Sequence, residues 1–163
     1  MRLRDKVVLV TGVSGTVGDK IAANCLSEGA KVKGLIRNKE KIPLCDELGI
    51  TPIIGDLTDK EAIKEALKDV NIVIHAAAYL GGDRTTAEES NIQGVQVLVD
   101  ASISVGVERF VHISTVSVYG HFEGDVELDE TSDLAYGHSE VYISTKCESE
   151  RILQDAITSD LNV

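Results

Sequence analysis

Val7-Val8-Leu9-Val10-Thr11-Gly12-Val13-Ser14-Gly15-Thr16-Val17-Gly18 is the stretch that decides the fold. Val7 to Val10 run without a polar break, the pattern of a strand buried on both faces. Three glycines follow at three-residue spacing. Gly12 permits a tight turn, Gly15 lets the backbone come close to a phosphate, and Gly18 lets the next helix pack against the strand. From Gly15 to Glu28, Ile21, Ala22, Cys25 and Leu26 share one helical face, and Gly29 terminates the run. A strand, a glycine turn and a helix in that order aim unpaired N–H groups and a positive dipole end at one point. The stretch therefore predicts a pyrophosphate site within a dinucleotide-binding unit.

Outward from it, apolar runs alternate with helix-like segments. Strands are predicted at Val32–Ile36, Pro52–Ile54, Ile72–Ile74 and Phe110–Ile113. Helices are predicted over 38–48 (interrupted by Pro43), 60–68, 86–105 and 139–157. Thr58 and Glu61 read as a capping box for the third helix. A long polar loop spans Val116 to Ala135. Such alternation predicts one α/β domain over 1–163, a doubly wound parallel sheet of Rossmann type with strand order 3-2-1-4-5.

The 163 residues are 43% hydrophobic but only 4% aromatic, so the core rests on Val, Ile, Leu and Ala. With 16 Lys and Arg against 27 Asp and Glu, the net charge is −11. Nucleic acid and anionic membrane surfaces are excluded as expected partners. No apolar run is long enough to span a membrane. Cys25, Cys45 and Cys147 are odd in number and contain no Cys-x-x-Cys pair. No metal site is expected, and a reducing cytoplasm fits.

Four further places carry chemistry. Arg37 ends the second strand about 20 residues past the last glycine, where NAD-binding folds place an acidic residue on the ribose. An Arg there can hold a 2′-phosphate, which favours NADP over NAD. Asp56 and Leu57 follow the third strand, where a carboxylate can accept from an adenine amine while Leu57 packs on the ring; Asp56 can equally cap the next helix. Tyr142 and Lys146 share a helical face at i, i+4. An ammonium beside a phenol favours the phenolate, so the pair can exchange a proton with a substrate oxygen. Ser114 and Thr115 end the fifth strand, where a doubly wound sheet binds ligands. His75 and His112 lie in apolar strands and read as core histidines, and no pair of the four histidines has metal-ligand spacing.

Thr11–Gly18, Gly55-Asp56-Leu57, His75-Ala76-Ala77-Ala78, Asn91, Ser114–Gly120 and Tyr142-x-x-x-Lys146 together resemble the extended short-chain dehydrogenase/reductase family, whose commonest members are NAD(P)-dependent epimerases and dehydratases. The resemblance covers the whole chain. It implies that Tyr142 is the general acid/base and that Lys146 lowers its pKa and binds the nicotinamide ribose. It places the catalytic hydroxyl on Thr115, with Ser114 as the alternative. It also implies that Ser14, Thr16 and Val17 join the glycines at the pyrophosphate, that Ala76, Ala77 and Ala78 line the ribose side, and that Asn91 braces the site.

Family members usually run to about twice this length, so a C-terminal strand and a substrate domain are expected to be missing, with Leu161-Asn162-Val163 starting that strand. Its absence would leave the fifth strand partly exposed as an edge, from which homodimerisation is expected. The leading expectation is hydride transfer at a secondary alcohol or carbonyl of a small molecule, a nucleotide sugar by family frequency. The alternative within that class is an NADPH-dependent reductase of hydroxysteroid or dihydroflavonol type. An alternative outside it is a non-catalytic NAD(P)-binding or partner-binding domain.

Overall fold

The structure, a computed structural model, describes residues 3–120, 127–159 and 161–163. Part of the long loop, with His121, lies outside the described residues. The described chain runs β1 (Val7–Thr11), α1 (Thr16–Ser27), β2 (Lys31–Ile36), a 3-10 turn (Lys39–Lys41), α2 (Ile42–Leu48), β3 (Thr51–Ile54), α3 (Lys60–Ala66), β4 (Ile72–His75), α4 (Arg84–Glu88), a π-helical turn (Glu89–Gln93), α5 (Gly94–Val105), β5 (Arg109–His112), a second 3-10 turn (Val116–Tyr119) and α6 (Val141–Ile157). The sheet is parallel, in the order β3-β2-β1-β4-β5. Fold class and strand order are those expected.

β1 is central, and Val8, Leu9 and Val10 are fully buried. Side chains alternate across a strand. Val8 and Val10 join the cluster with Ala22 and Cys25 of α1 and Cys45 of α2, while Leu9 joins Ile63, Leu98, Phe110 and Leu153 on the other face. Each such burial contributes about 1.5–3 kcal/mol. β1 is flanked by β2 on one side and β4 on the other, so the chain reverses its winding there. Ligands bind at the carboxyl ends of the strands flanking such a point.

Local details differ from the sequence reading. Pro43 does not interrupt the second helix but lies in the first turn of α2, where its missing N–H costs nothing. The N-cap of α3 is Asp59, not Thr58. Asp59 Oδ1 accepts from Glu61 N and Ala62 N, while Thr58 donates its N–H and hydroxyl to Asp56 Oδ1. Thr58 stands one residue too early to reach the helix. Helix 86–105 begins earlier, capped by Asp83, and contains the π turn. The β5 edge is partly occupied, because Phe110 N donates to Asn162 O at 2.8 Å and Leu161 is buried.

Candidate active site

A cleft of about 540 Å³ opens at the carboxyl ends of the strands. Its lining brings together Gly12, Ser14, Gly15, Thr16, Val17, Gly18, Arg37, Asp56, Leu57, Ala76, Ala77, Ala78, Thr115 and Tyr142. Of the residues singled out in the sequence, Asn91 and Lys146 stand behind this lining, both buried.

The glycine turn is closed on itself. Gly12 has φ +71°, and Gly15 N donates to Gly12 O at 2.9 Å. A Cβ on Gly12 would stand 2.7 Å from Ala77 N, and one on Gly18 only 2.1 Å from Gly12 O. β4's end and α1 thus both rest on the turn at glycine distance. The N-cap of α1 is Gly15, which supplies no side-chain cap. Among the described residues no side chain caps the first-turn N–H groups, which fits an anionic phosphate.

At the far end, Asp56 uses one carboxylate oxygen on Thr58. Leu57 is buried beside it. Arg37 is exposed on the rim and forms no side-chain ion pair among the described residues. It lies beside Lys39 and Lys41, a local basic group on an acidic chain.

At the opposite end stand the hydroxyl groups. Thr115 is half-buried, and its Oγ1 accepts from Ser117 N at 3.3 Å, capping the second 3-10 turn. That bond fixes the oxygen and leaves its proton for another acceptor. The neighbouring Ser114 is more exposed. Tyr142 reaches the cleft from the first turn of α6. Lys146 follows one turn on in the same helix. Its Nζ donates to Ile113 O at 2.9 Å and lies 2.8 Å from His112 Nε2. Burial brings the Lys146 pKa down to about 8, against a smaller opposing effect of Glu150. His75 stacks on His112 with ring centroids 5.2 Å apart. Burial first, then the Lys146 charge, lowers the two histidines to about 3 and about 2, so both are neutral.

Asn91 sits on the π turn, 2% exposed. Its Oδ1 accepts from Tyr79 N at 2.7 Å, and its Nδ2 donates to Tyr79 O at 2.9 Å and Thr145 Oγ1 at 3.1 Å. It ties the loop after β4 to the turn of α6 that carries Tyr142 and Lys146. π turns recur where a helix must aim one side chain out of step.

Sequence reasoning missed several neighbours. Leu80 and Ser90 line the cleft, as do Leu35, Ile36 and Ile113. Leu80 is 73% exposed, and Val116, next to Thr115 in sequence, is 83% exposed. Thr11 was read only as part of the glycine stretch, yet its Oγ1 accepts from Ala77 N and lies 2.6 Å from His75 Nδ1. His112 was read as a core histidine and is instead the partner of Lys146. The signal available was its place two residues before Ser114, at the functional end of a strand.

The sequence profile of the NAD dependent epimerase/dehydratase family matches residues 8–163. This chain belongs to that family. Its relatives differ in activity. A 4-hydroxy-2-methyl-3-oxo-4-farnesyl-3,4-dihydroquinoline-1-oxide ketoreductase of Stigmatella aurantiaca is 30% identical over 90% of this chain and 45% of its own length. A 3-beta-hydroxysteroid dehydrogenase of Mycolicibacterium neoaurum is 31% identical over 90% of this chain and 42% of its own. The NAD complex of Thermus thermophilus UDP-glucose 4-epimerase superposes with a TM-score of 0.82 at 27% identity, over 95% of this chain and 52% of that one. The chain thus spans less than half the length of the curated relatives it matches. Among the described residues no helix is long and apolar enough to cross a membrane, and no cluster of His, Cys, Asp and Glu could hold a metal.

Proposed function

We propose that this chain supplies the dinucleotide site and the proton donor of an NADP(H)-dependent oxidoreductase that interconverts a ketone and a secondary alcohol. One observation carries the reading: Thr115 and Tyr142 line the same cleft as the uncapped glycine turn. When bound, the nicotinamide supplies or accepts the hydride. Thr115 donates a hydrogen bond to the substrate oxygen and holds it, keeping its own proton. Tyr142 gives that oxygen a proton during reduction and takes it back during oxidation. Lys146, charged below pH about 8, favours the phenolate form of Tyr142 when the proton leaves. The first turn of α1 binds the pyrophosphate, Asp56 keeps an oxygen for the adenine amine, and Arg37 pairs with a 2′-phosphate.

Exposed Leu80 in the cleft lining, and Val116 next to Thr115, support an apolar substrate; the curated relatives above are a ketoreductase and a hydroxysteroid dehydrogenase. The Thermus UDP-glucose 4-epimerase supports a nucleotide sugar as the second reading. Buried, unpaired Cys25, Cys45 and Cys147 support a reducing, cytoplasmic setting. The partial cover of the β5 edge by Leu161 and Asn162 weakens the ground for homodimerisation.

Titrating the chain with NADPH and NADH beside Arg37→Ala tests the cofactor site. Tighter binding of NADPH that falls about tenfold or more in the variant, with NADH unmoved, is expected. Equal affinities in both proteins would refute the Arg37 assignment. Turnover with apolar ketones, against nucleotide sugars, separates the substrate readings. Binding without turnover of either class would favour a non-catalytic domain.

A further inference from the structure

The chemistry above makes no use of the stacked histidines. Thr11, His75 and His112 are register partners across β1, β4 and β5, so three polar side chains form one row at the carboxyl edge of an otherwise apolar sheet. The row ends on Lys146. A lysine ammonium has protons and no lone pair, so at a 2.8 Å contact His112 Nε2 is the acceptor. A neutral imidazole that accepts at Nε2 carries its proton on Nδ1. His112 Nδ1 is buried and has no hydrogen-bond partner among the described residues. Leaving a buried donor unmatched is unfavourable, so something else must hold the ring in this orientation. Three contacts bear on it: the stack on His75, itself bonded to Thr11, the ammonium, and at longer range Ser149 Oγ, 3.4 Å from Nε2 and donating its own proton to Lys146 O.

We infer that His112 is a positioning residue for Lys146, held in its neutral Nδ1–H tautomer so that Nε2 anchors the ammonium one helical turn below Tyr142. That Lys146 serves Tyr142 rests on the function proposed above; the pairing itself does not. A hydrogen bond to the charged form opposes the effect of burial and keeps Lys146 protonated at neutral pH. The titratable neighbours are His112 on β5, His75 behind it on β4, and Tyr142 and Glu150 on either side along α6. Both histidines stay neutral, so the anchor does not itself titrate in the working range.

Two measurements on the whole chain, neither needing cofactor or turnover, test this. Long-range ¹⁵N–¹H spectra of labelled histidine, assigned with His112→Gln, should show His112 as the Nδ1–H tautomer. An Nε2–H tautomer overturns the inference. A ¹³Cε-lysine titration, assigned with Lys146→Met, follows the ammonium directly. His112→Leu should lower the Lys146 midpoint by about one to two pH units. His112→Gln, whose side-chain carbonyl can accept, should restore most of the difference. An unmoved midpoint in His112→Leu, or an equal fall in both variants, overturns it. Should His112→Leu fail to fold, the wild-type tautomer and the His112→Gln midpoint still decide. Failure to bind NADPH would sink the proposed function and leave these results standing.

Discussion

Two alanines three residues apart should separate the glycine that builds the phosphate turn from the one that serves its ligand. At Gly18 a new Cβ would stand 2.1 Å from Gly12 O, 2.5 Å from Gly12 C and 2.9 Å from Val13 N. All three are backbone atoms that cannot rotate away, so α1 must move off the turn by roughly 1 Å to restore van der Waals contact. Overpacking of this kind costs about 3 kcal/mol at its upper end, and the better helix propensity of Ala returns about 1. Gly18→Ala should therefore lose about 2 kcal/mol, read as a lower urea midpoint at unchanged slope. At Gly15 the backbone is extended (φ −103°, ψ 167°), and the only heavy atom near a new Cβ is Gly12 O at 3.4 Å. The poorer N-cap costs about 0.5–1 kcal/mol, and the stiffer unfolded chain offsets about as much. Gly15→Ala should keep its stability within about 0.5 kcal/mol. Its methyl, however, enters the cleft where the first turn of α1 offers its N–H groups. Loss of one charge-assisted bond to phosphate would weaken NADPH by about tenfold, and of two by a hundredfold or more. Urea unfolding and calorimetric titration of both variants provide the assay. A Gly15→Ala protein of wild-type affinity would refute the placement of the pyrophosphate, and an unchanged midpoint in Gly18→Ala would refute the packing argument.

Tyr142→Phe should retain NADPH affinity and lose about 10²–10⁴-fold in kcat with any substrate found, measured by cofactor absorbance; near-normal turnover would remove Tyr142 from the chemistry. Asn91→Leu discards three hydrogen bonds around Tyr79 and Thr145 and should cost about 2–4 kcal/mol by urea unfolding. If its stability is unchanged, the brace is dispensable. Stability should also fall on mild acidification. The folded His75 and His112 pKa values, about 3 and about 2, lie below the unfolded value near 6.5. Between these limits the unfolded chain binds more protons, so stability rises with pH there and is lost as pH falls below about 6.5. Urea unfolding at pH 7.5 and 5.0 should differ by a few kcal/mol (about 2–4), and His112→Gln should remove roughly half of that. Identical slopes in the two proteins would contradict the burial of His112.

The fold and most of the cleft were legible because their signals are local. An unbroken apolar run, a glycine turn and a 3.6-residue stripe are each read within about fifteen residues, and parallel topology follows from their alternation. Pro43 and Thr58 were misplaced by only a residue or two, the scale on which cap geometry depends on φ and ψ rather than on residue type. Leu80 and Ser90 escaped because no local pattern says which loop residues turn toward a cleft. The carboxyl ends of five strands lie far apart in sequence and meet only when the sheet forms.

The sequence by itself determined the doubly wound sheet, through the alternation of its elements, and the glycine turn and the shared helical face of Tyr142 and Lys146, through spacing within one element; Thr115 entered as the catalytic hydroxyl only through the family resemblance. Tertiary structure alone decided that Lys146 rests on His112 and Ile113 O, that Asn91 clamps Tyr79 to α6, and that Thr11, His75 and His112 form one row. Those contacts join residues 12 to 64 positions apart. Their partners are chosen by strand register and by the demand that a buried polar atom find a mate, and neither is written in any single stretch of chain.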